Sequence, residues 1–134
     1  MTSAKSETLP LHSCEDIVRA RQTARRWMVE RRFTLVEQTK MMTAVSELAR
    51  NTVVYGGGGA ARLELVEESG RVGIRVLIED HGPGIADIEQ AMTDGFTSGQ
   101  GMGLGLGGSK RLADEFEIWS KPGEGTRVSI TKWK

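Results

Sequence analysis

Glycine is absent from the first 55 residues of this chain. All 17 of its glycines lie between Gly56 and Gly125, seven of them between Gly95 and Gly108. Glycine weakens helices and strands and is favoured where the backbone turns sharply or approaches another group closely. The first third of the chain is therefore suited to helix. The rest must alternate strands with tight turns and close-contact loops.

A chain of 134 residues buries roughly 68% of its unfolded surface, enough for one ordinary core. The only cysteine is Cys14, which excludes a disulfide scaffold and any cysteine-based zinc or iron–sulfur site and fits a reducing, cytoplasmic setting. Apolar runs are short, and the N-terminus MTSAKSETLPL has no apolar stretch, so neither a membrane span nor a secretory signal is expected. The 18 Lys and Arg balance the 18 Asp and Glu, which argues against a nucleic-acid binder that relies on phosphate neutralisation. The cluster Arg19, Arg21, Arg25, Arg26, Arg31 and Arg32 reads as the solvated side of a helix.

Leu9 and Leu11 mark a short strand over residues 7–12, ended by Ser13-Cys14-Glu15-Asp16, which has the spacing of a capping box. Ile17, Ala20, Ala24, Trp27 and Met28 follow at helical spacing and predict an amphipathic helix to about Arg32. Thr34-Leu35-Val36-Glu37 opens a second helix, striped by Gln38, Met41, Met42, Val45, Leu48, Ala49 and Thr52. Gly56 to Gly59 end it, with no side chain to pack.

The period then changes to 2. Leu63 and Leu65, and after a Ser69-Gly70 turn Val72, Ile74, Val76 and Ile78, predict a hairpin with one buried face. A short helix over residues 87–94, a loop from Phe96 to Gly103 and a helix ending near Phe116 come next. A strand from Glu117 to Ser120, a Pro122-Gly123 turn and a last strand with Val128 and Ile130 complete the order. This order predicts an α/β two-layer sandwich, a mixed and mostly antiparallel sheet with helices on one face. Residues 1–134 read as one domain.

Four motifs carry candidate chemistry. In Glu47-Leu48-Ala49-Arg50-Asn51 the carboxylate and the carboxamide stand at i and i+4, about 5 to 6 Å apart on one helix face. That pair suits a base beside a Mg²⁺ ligand, although the pattern taken alone is far more often an ordinary solvated face. In Asp80-His81-Gly82-Pro83-Gly84 an acceptor-only carboxylate ends a strand, as an exocyclic amino group such as adenine's requires, or as a plain Asp turn does. The run Gly99 to Gly108 exposes backbone N–H groups ahead of a helix, a ready anion site. Gly103-x-Gly105-x-x-Gly108 formally satisfies the dinucleotide fingerprint, but no apolar strand precedes it and the chain ends too soon for the βαβ unit; a Walker A loop fails for want of G-K-[ST]. Gly123-Glu124-Gly125-Thr126 reads as a hairpin turn.

The order and spacing of these four resemble the N, G1, G2 and GT boxes of the GHKL ATPase superfamily, whose nucleotide-binding domain has the Bergerat-type fold. The likeness covers nearly the whole chain. The stretches Ser46 to Asn51, Glu79 to Ile88, Asp94-Gly95-Phe96-Thr97, Gly101 to Leu106, Arg111 to Phe116 and Lys132-Trp133 are most similar to the free-standing switch kinases of bacterial partner-switching systems, the RsbT type of the stressosome. That resemblance implies a protein serine/threonine kinase using ATP and Mg²⁺. Its partners would be a STAS-domain substrate protein and a PP2C-type phosphatase that it activates on release. The alternative within the family is an anti-sigma factor with kinase activity, whose partner is a sigma factor.

By the same resemblance Glu47 is the general base and Asn51 the Mg²⁺ ligand. Asp80 accepts from adenine, Gly82 and Gly84 shape the pocket, and Thr126 supports it. The loop Gly101-Met102-Gly103-Leu104-Gly105 wraps the phosphates. No Lys or Arg occurs between Gly95 and Gly108, so the charge at the γ-phosphate is left to Lys110, Arg111, a partner or the metal. Gly107-Gly108 stand where related kinases carry a proline, which loosens the expected lid. His12 and His81, the only histidines, give no support to an autophosphorylating histidine kinase.

Overall fold

The computed structural model describes residues 2–85, 92 and 105–134. The expected helix over 87–94 and the loop from Phe96 to Gly103 lie outside these residues, apart from residue 92. Five strands and three helices are described: β1 (Thr2–Leu11), α1 (Cys14–Glu30), α2 (Leu35–Val54), β2 (Gly59–Glu68), β3 (Arg71–Asp80), α3 (Gly105–Leu112), β4 (Glu115–Lys121) and β5 (Gly125–Trp133). The sheet order is β1-β2-β3-β5-β4. All four pairings are antiparallel, so the described sheet has no parallel member.

Both predicted helix starts are present. Ser13 caps α1 by accepting from the Asp16 N–H, and the Asp16 carboxylate reaches the His12 N–H at 2.8 Å, one residue before the cap. Thr34 and Glu37 form the full reciprocal box on α2, at 3.1 and 2.7 Å. The apolar stripes bury Ala20, Ala24, Trp27 and Met28 on α1 and Met41, Ala44, Val45, Leu48 and Ala49 on α2. They meet the inward row of the sheet, which includes Leu11, Leu63, Ile74, Val76, Ile78, Val128 and Ile130. Helices therefore cover one face, as expected.

Three expectations change. The first strand begins at Thr2, five residues earlier than predicted, because the polar segment before Leu9 pairs with β2 from Thr2↔Glu67 onward. The β2–β3 hairpin turns through Ser69 (φ 51) and Gly70 (φ 79), a two-residue primed turn, but it is not buried on one face only. Glu64 and Val66 are also buried, with Arg75 bonded to Glu64 at 3.0 Å. On the same face the Trp133 ring covers Gly73 beneath the Arg71 guanidinium.

The helix expected to end near Phe116 stops at Leu112, and Phe116 belongs to β4 opposite Ile130. Asp114 is the reason. Its N–H donates to the Thr131 carbonyl, and its carboxylate accepts from the Trp133 N–H at 2.7 Å and from Lys132 at 3.1 Å.

Candidate functional site

Glu47 and Asn51 lie half-buried on the C-terminal half of α2. Neither side chain has a hydrogen bond or ion pair among the described residues. Beyond Val54 the helix closes on Tyr55, and the Gly56 N–H donates to the carbonyls of Asn51 and Thr52. Here the glycine tract does more than stop a helix. A Cβ on Gly56 would fall 2.5 Å from the Asp80 carboxylate, and one on Gly82 would fall 2.6 Å from the Gly56 carbonyl oxygen. Contrary to the expectation of a tract that merely ends a helix, Gly56 packs against the Asp80 side chain and against the Gly82 backbone, and only the missing Cβ atoms allow it.

Asp80 ends β3 on the inward face, in register with Gly59 on one side and Thr126 on the other. Thr126 is in turn opposite Ser120 on β4. Asp80, Thr126 and Ser120 thus form a row across three adjacent strands. The Gly82 N–H donates to Asp80 Oδ1 at 2.9 Å, folding the following turn back over the carboxylate.

The rest of that turn is fastened to the β4–β5 hairpin. Gly123 N–H donates to the Pro83 carbonyl at 2.8 Å, and Ile85 N–H donates to Ser120 Oγ at 2.7 Å. Gly84 sits at φ 76, and a Cβ there would fall 2.3 Å from the Lys121 carbonyl oxygen, a place open only to glycine. The fourth motif is therefore more than a hairpin turn, since it supplies the outer wall of the site.

Of the predicted residues, Asp80, Gly82 and Thr126 are brought together at the end of β3 and the start of β5, with Gly84 packed on the neighbouring Lys121 and Gly56 closing on Asp80; Glu47 and Asn51 stand on the α2 helix that leads into Gly56. Gly105 is the first residue of α3. Gly101, Met102, Gly103 and Leu104 lie outside the described residues. Lys110 and Arg111 fall in the last turn of α3, about 7.5 and 9 Å along its axis from Gly105.

Sequence reasoning missed two participants. In the sequence Gly56 reads only as a stop signal, and Ser120 belongs to none of the four motifs. A signal existed for Ser120: it takes the inward position after Phe116 and Ile118, where a third apolar residue would continue the pattern.

A half-buried carboxylate and carboxamide one turn apart, a second carboxylate in a pocket built from backbone, and a glycine-opened helix nearby form the outline of a nucleotide site. The family described as histidine kinase-, DNA gyrase B- and HSP90-like ATPase matches residues 36–134. The chain belongs to that ATPase family. It is 48% identical to the serine/threonine-protein kinase RsbT of Bacillus subtilis over 118 residues, 88% of this chain and 89% of that protein. It is 33% identical to an anti-sigma F factor of Clostridium novyi over 108 residues, 74% of this chain and 73% of the relative.

Among solved structures, the RsbU and RsbW domains of a Mycobacterium tuberculosis protein superpose on 98% of this chain with a TM-score of 0.67 at 18% identity, over a third (33%) of that longer chain. The mycobacterial sensor histidine kinase MprB follows at a TM-score of 0.56 and 19% identity. At these identities the likeness is one of fold.

ATPases of this family use a nucleotide, and the donor set here suits one carried with a hard cation. Among the described residues no three His, Cys, Asp or Glu side chains cluster into a metal cage. A single uncommitted carboxamide oxygen, at Asn51, fits Mg²⁺ bound chiefly through waters and substrate phosphates. No described helix is long and apolar enough to cross a membrane.

Proposed function

We propose that this serine/threonine-protein kinase transfers the γ-phosphoryl group of ATP to a Ser or Thr hydroxyl of a STAS-domain partner in a stress-response switch. Once released, it docks on a PP2C-type phosphatase and activates it. It acts in the cytoplasm as one domain spanning 1–134. The observation that carries this reading is the placement of Glu47 and Asn51 on the very helix whose end packs against Asp80. A base, a metal ligand and a purine pocket thereby share one rigid frame. Phosphoryl transfer depends mainly on positioning and charge stabilisation, so this inventory supplies most of what the reaction needs.

In this scheme Asp80 accepts from the adenine amino group, while Gly82 and Gly84 bring the backbone close to the ring and Thr126 supports it. Gly101, Met102, Gly103, Leu104 and Gly105 wrap the phosphates. The Asn51 carboxamide oxygen would hold Mg²⁺, which when bound would neutralise phosphate charge. Glu47 takes the proton of the attacking hydroxyl as that oxygen bonds to the γ-phosphorus. The bond from γ-phosphorus to the bridging oxygen breaks, and ADP leaves with its electron pair. A module that binds nucleotide only to set its shape has no use for a carboxylate at position 47.

The test is capture of partners from the native extract with and without Mg-ATP, followed by phosphosite mapping. A captured STAS protein phosphorylated on Ser or Thr only when ATP is present is the expected result. A sigma factor in its place would establish the second reading, an anti-sigma factor with kinase activity, which the anti-sigma F relative favours. No phosphorylated partner at all would remove both.

A further inference from the structure

The hydroxyl of Ser120 is saturated in a way that fixes the polarity of its neighbour. Serine has one proton to give and two lone pairs to receive with. Ser120 Oγ lies 3.0 Å from the Gly125 carbonyl, which can only accept, so the serine proton is spent there. The Ile85 N–H at 2.7 Å fills one lone pair. The remaining contact, 2.9 Å to Thr126 Oγ1, is compatible with either atom as donor on geometry alone. With the serine proton committed, the donor is Thr126.

Thr126 therefore turns its proton away from Asp80 and keeps acceptor capacity only. Asp80, its register partner on the same face, is also an acceptor when ionised. Two adjacent acceptors complement a purine amino group and oppose a carbonyl oxygen at the same ring position.

We propose that Ser120 is a specificity-determining positioning residue: by committing the Thr126 proton it sets the pocket to accept adenine and reject guanine. The proposal rests on the nucleotide-site reading and adds to it a residue that need not touch the ligand. Removing the serine hydroxyl frees the Thr126 O–H to rotate and donate to the oxygen at C6 of guanine, so discrimination falls.

Calorimetric affinities of the full chain for Mg-ATP and Mg-GTP test this in the wild type and in Ser120→Ala, Ser120→Thr, Thr126→Val and the double variant Ser120→Ala/Thr126→Val, each checked for folding by circular dichroism. Ser120→Ala is expected to narrow the ATP-to-GTP affinity ratio about tenfold, roughly one hydrogen bond's worth of discrimination. Ser120→Thr, which keeps the hydroxyl, should hold the wild-type ratio. On the Thr126→Val background Ser120→Ala should leave the ratio where Thr126→Val put it, because the effect passes through Thr126.

A purely structural serine weakens both nucleotides equally, and an unchanged ratio in folded Ser120→Ala overturns the proposal. So does an equal further narrowing on the Thr126→Val background. A wild type that binds neither nucleotide overturns the site reading itself, and the proposal with it.

Discussion

A carboxylate on a helix becomes a base only if nothing else claims it. Glu47 meets that condition among the described residues, whereas Asp80 has one oxygen committed to the Gly82 N–H. The two carboxylates are thus suited to different tasks, one to a proton and one to a fixed hydrogen-bonding role. Glu47→Ala should lower phosphotransfer by ~10²- to 10⁴-fold while leaving ATP affinity close to that of the wild type. Single-turnover kinetics beside a binding titration separate the two quantities, and unchanged turnover would remove Glu47 from the role. Gly84 is constrained by backbone alone. A side chain there meets both an unfavourable φ and the Lys121 carbonyl, so Gly84→Ala should destabilise the fold by about 2 kcal/mol, read as a lower urea midpoint.

At the scale of elements, α2 is held at one end by its capping box and carries Glu47 and Asn51, the proposed base and metal ligand, on its C-terminal half. Thr34 lies 13 residues before Glu47, about 20 Å along the helix axis. Thr34→Ala should therefore cost about 1 kcal/mol of stability and leave nucleotide affinity unchanged; a change in affinity would show that the box also sets the pitch of the site.

The elements that could be read from sequence are those with local causes. Capping boxes and a 3.6-residue stripe mark α1 and α2, and a Ser-Gly turn between alternating runs marks the β2–β3 hairpin. What sequence hid was decided across the fold. The first half of β1 is polar and is defined by pairing with β2. The end of α3 is set the same way: Leu112, Ala113 and Phe116 keep a helical spacing in sequence, while Asp114 is captured by the C-terminal strand. Around Asp80, the close-packed turn glycines Gly82 and Gly84 were legible from their motif. Gly56 and Ser120 were not, since the groups they serve lie 24 and 35 residues away, at Asp80 and Ile85.

At the scale of the whole molecule, the proposed site draws on parts of the chain that are far apart in sequence, the α2 helix that ends at Gly56 and the strands that carry Asp80 and Thr126, at the boundary between the helical layer and the sheet. A ligand seated there touches both layers at once, so binding must raise the stability of the fold and not merely order a loop. At a hundred times its Kd, Mg-ATP should contribute about 2.7 kcal/mol, and for a chain of this length raise Tm by roughly 10 °C. Asp80→Ala should lose roughly 1.5 to 3 kcal/mol of binding, the range for a hydrogen bond to a charged group, and with it most of that shift at the same nucleotide concentration. Thr34→Ala supplies the contrast: it starts from a lower Tm but keeps the full increment, because its defect lies far from the ligand. Thermal unfolding of the three proteins with and without Mg-ATP separates the outcomes. An increment retained in Asp80→Ala would mean that the nucleotide is held elsewhere, and no increment in the wild type would undo the assignment of the pocket.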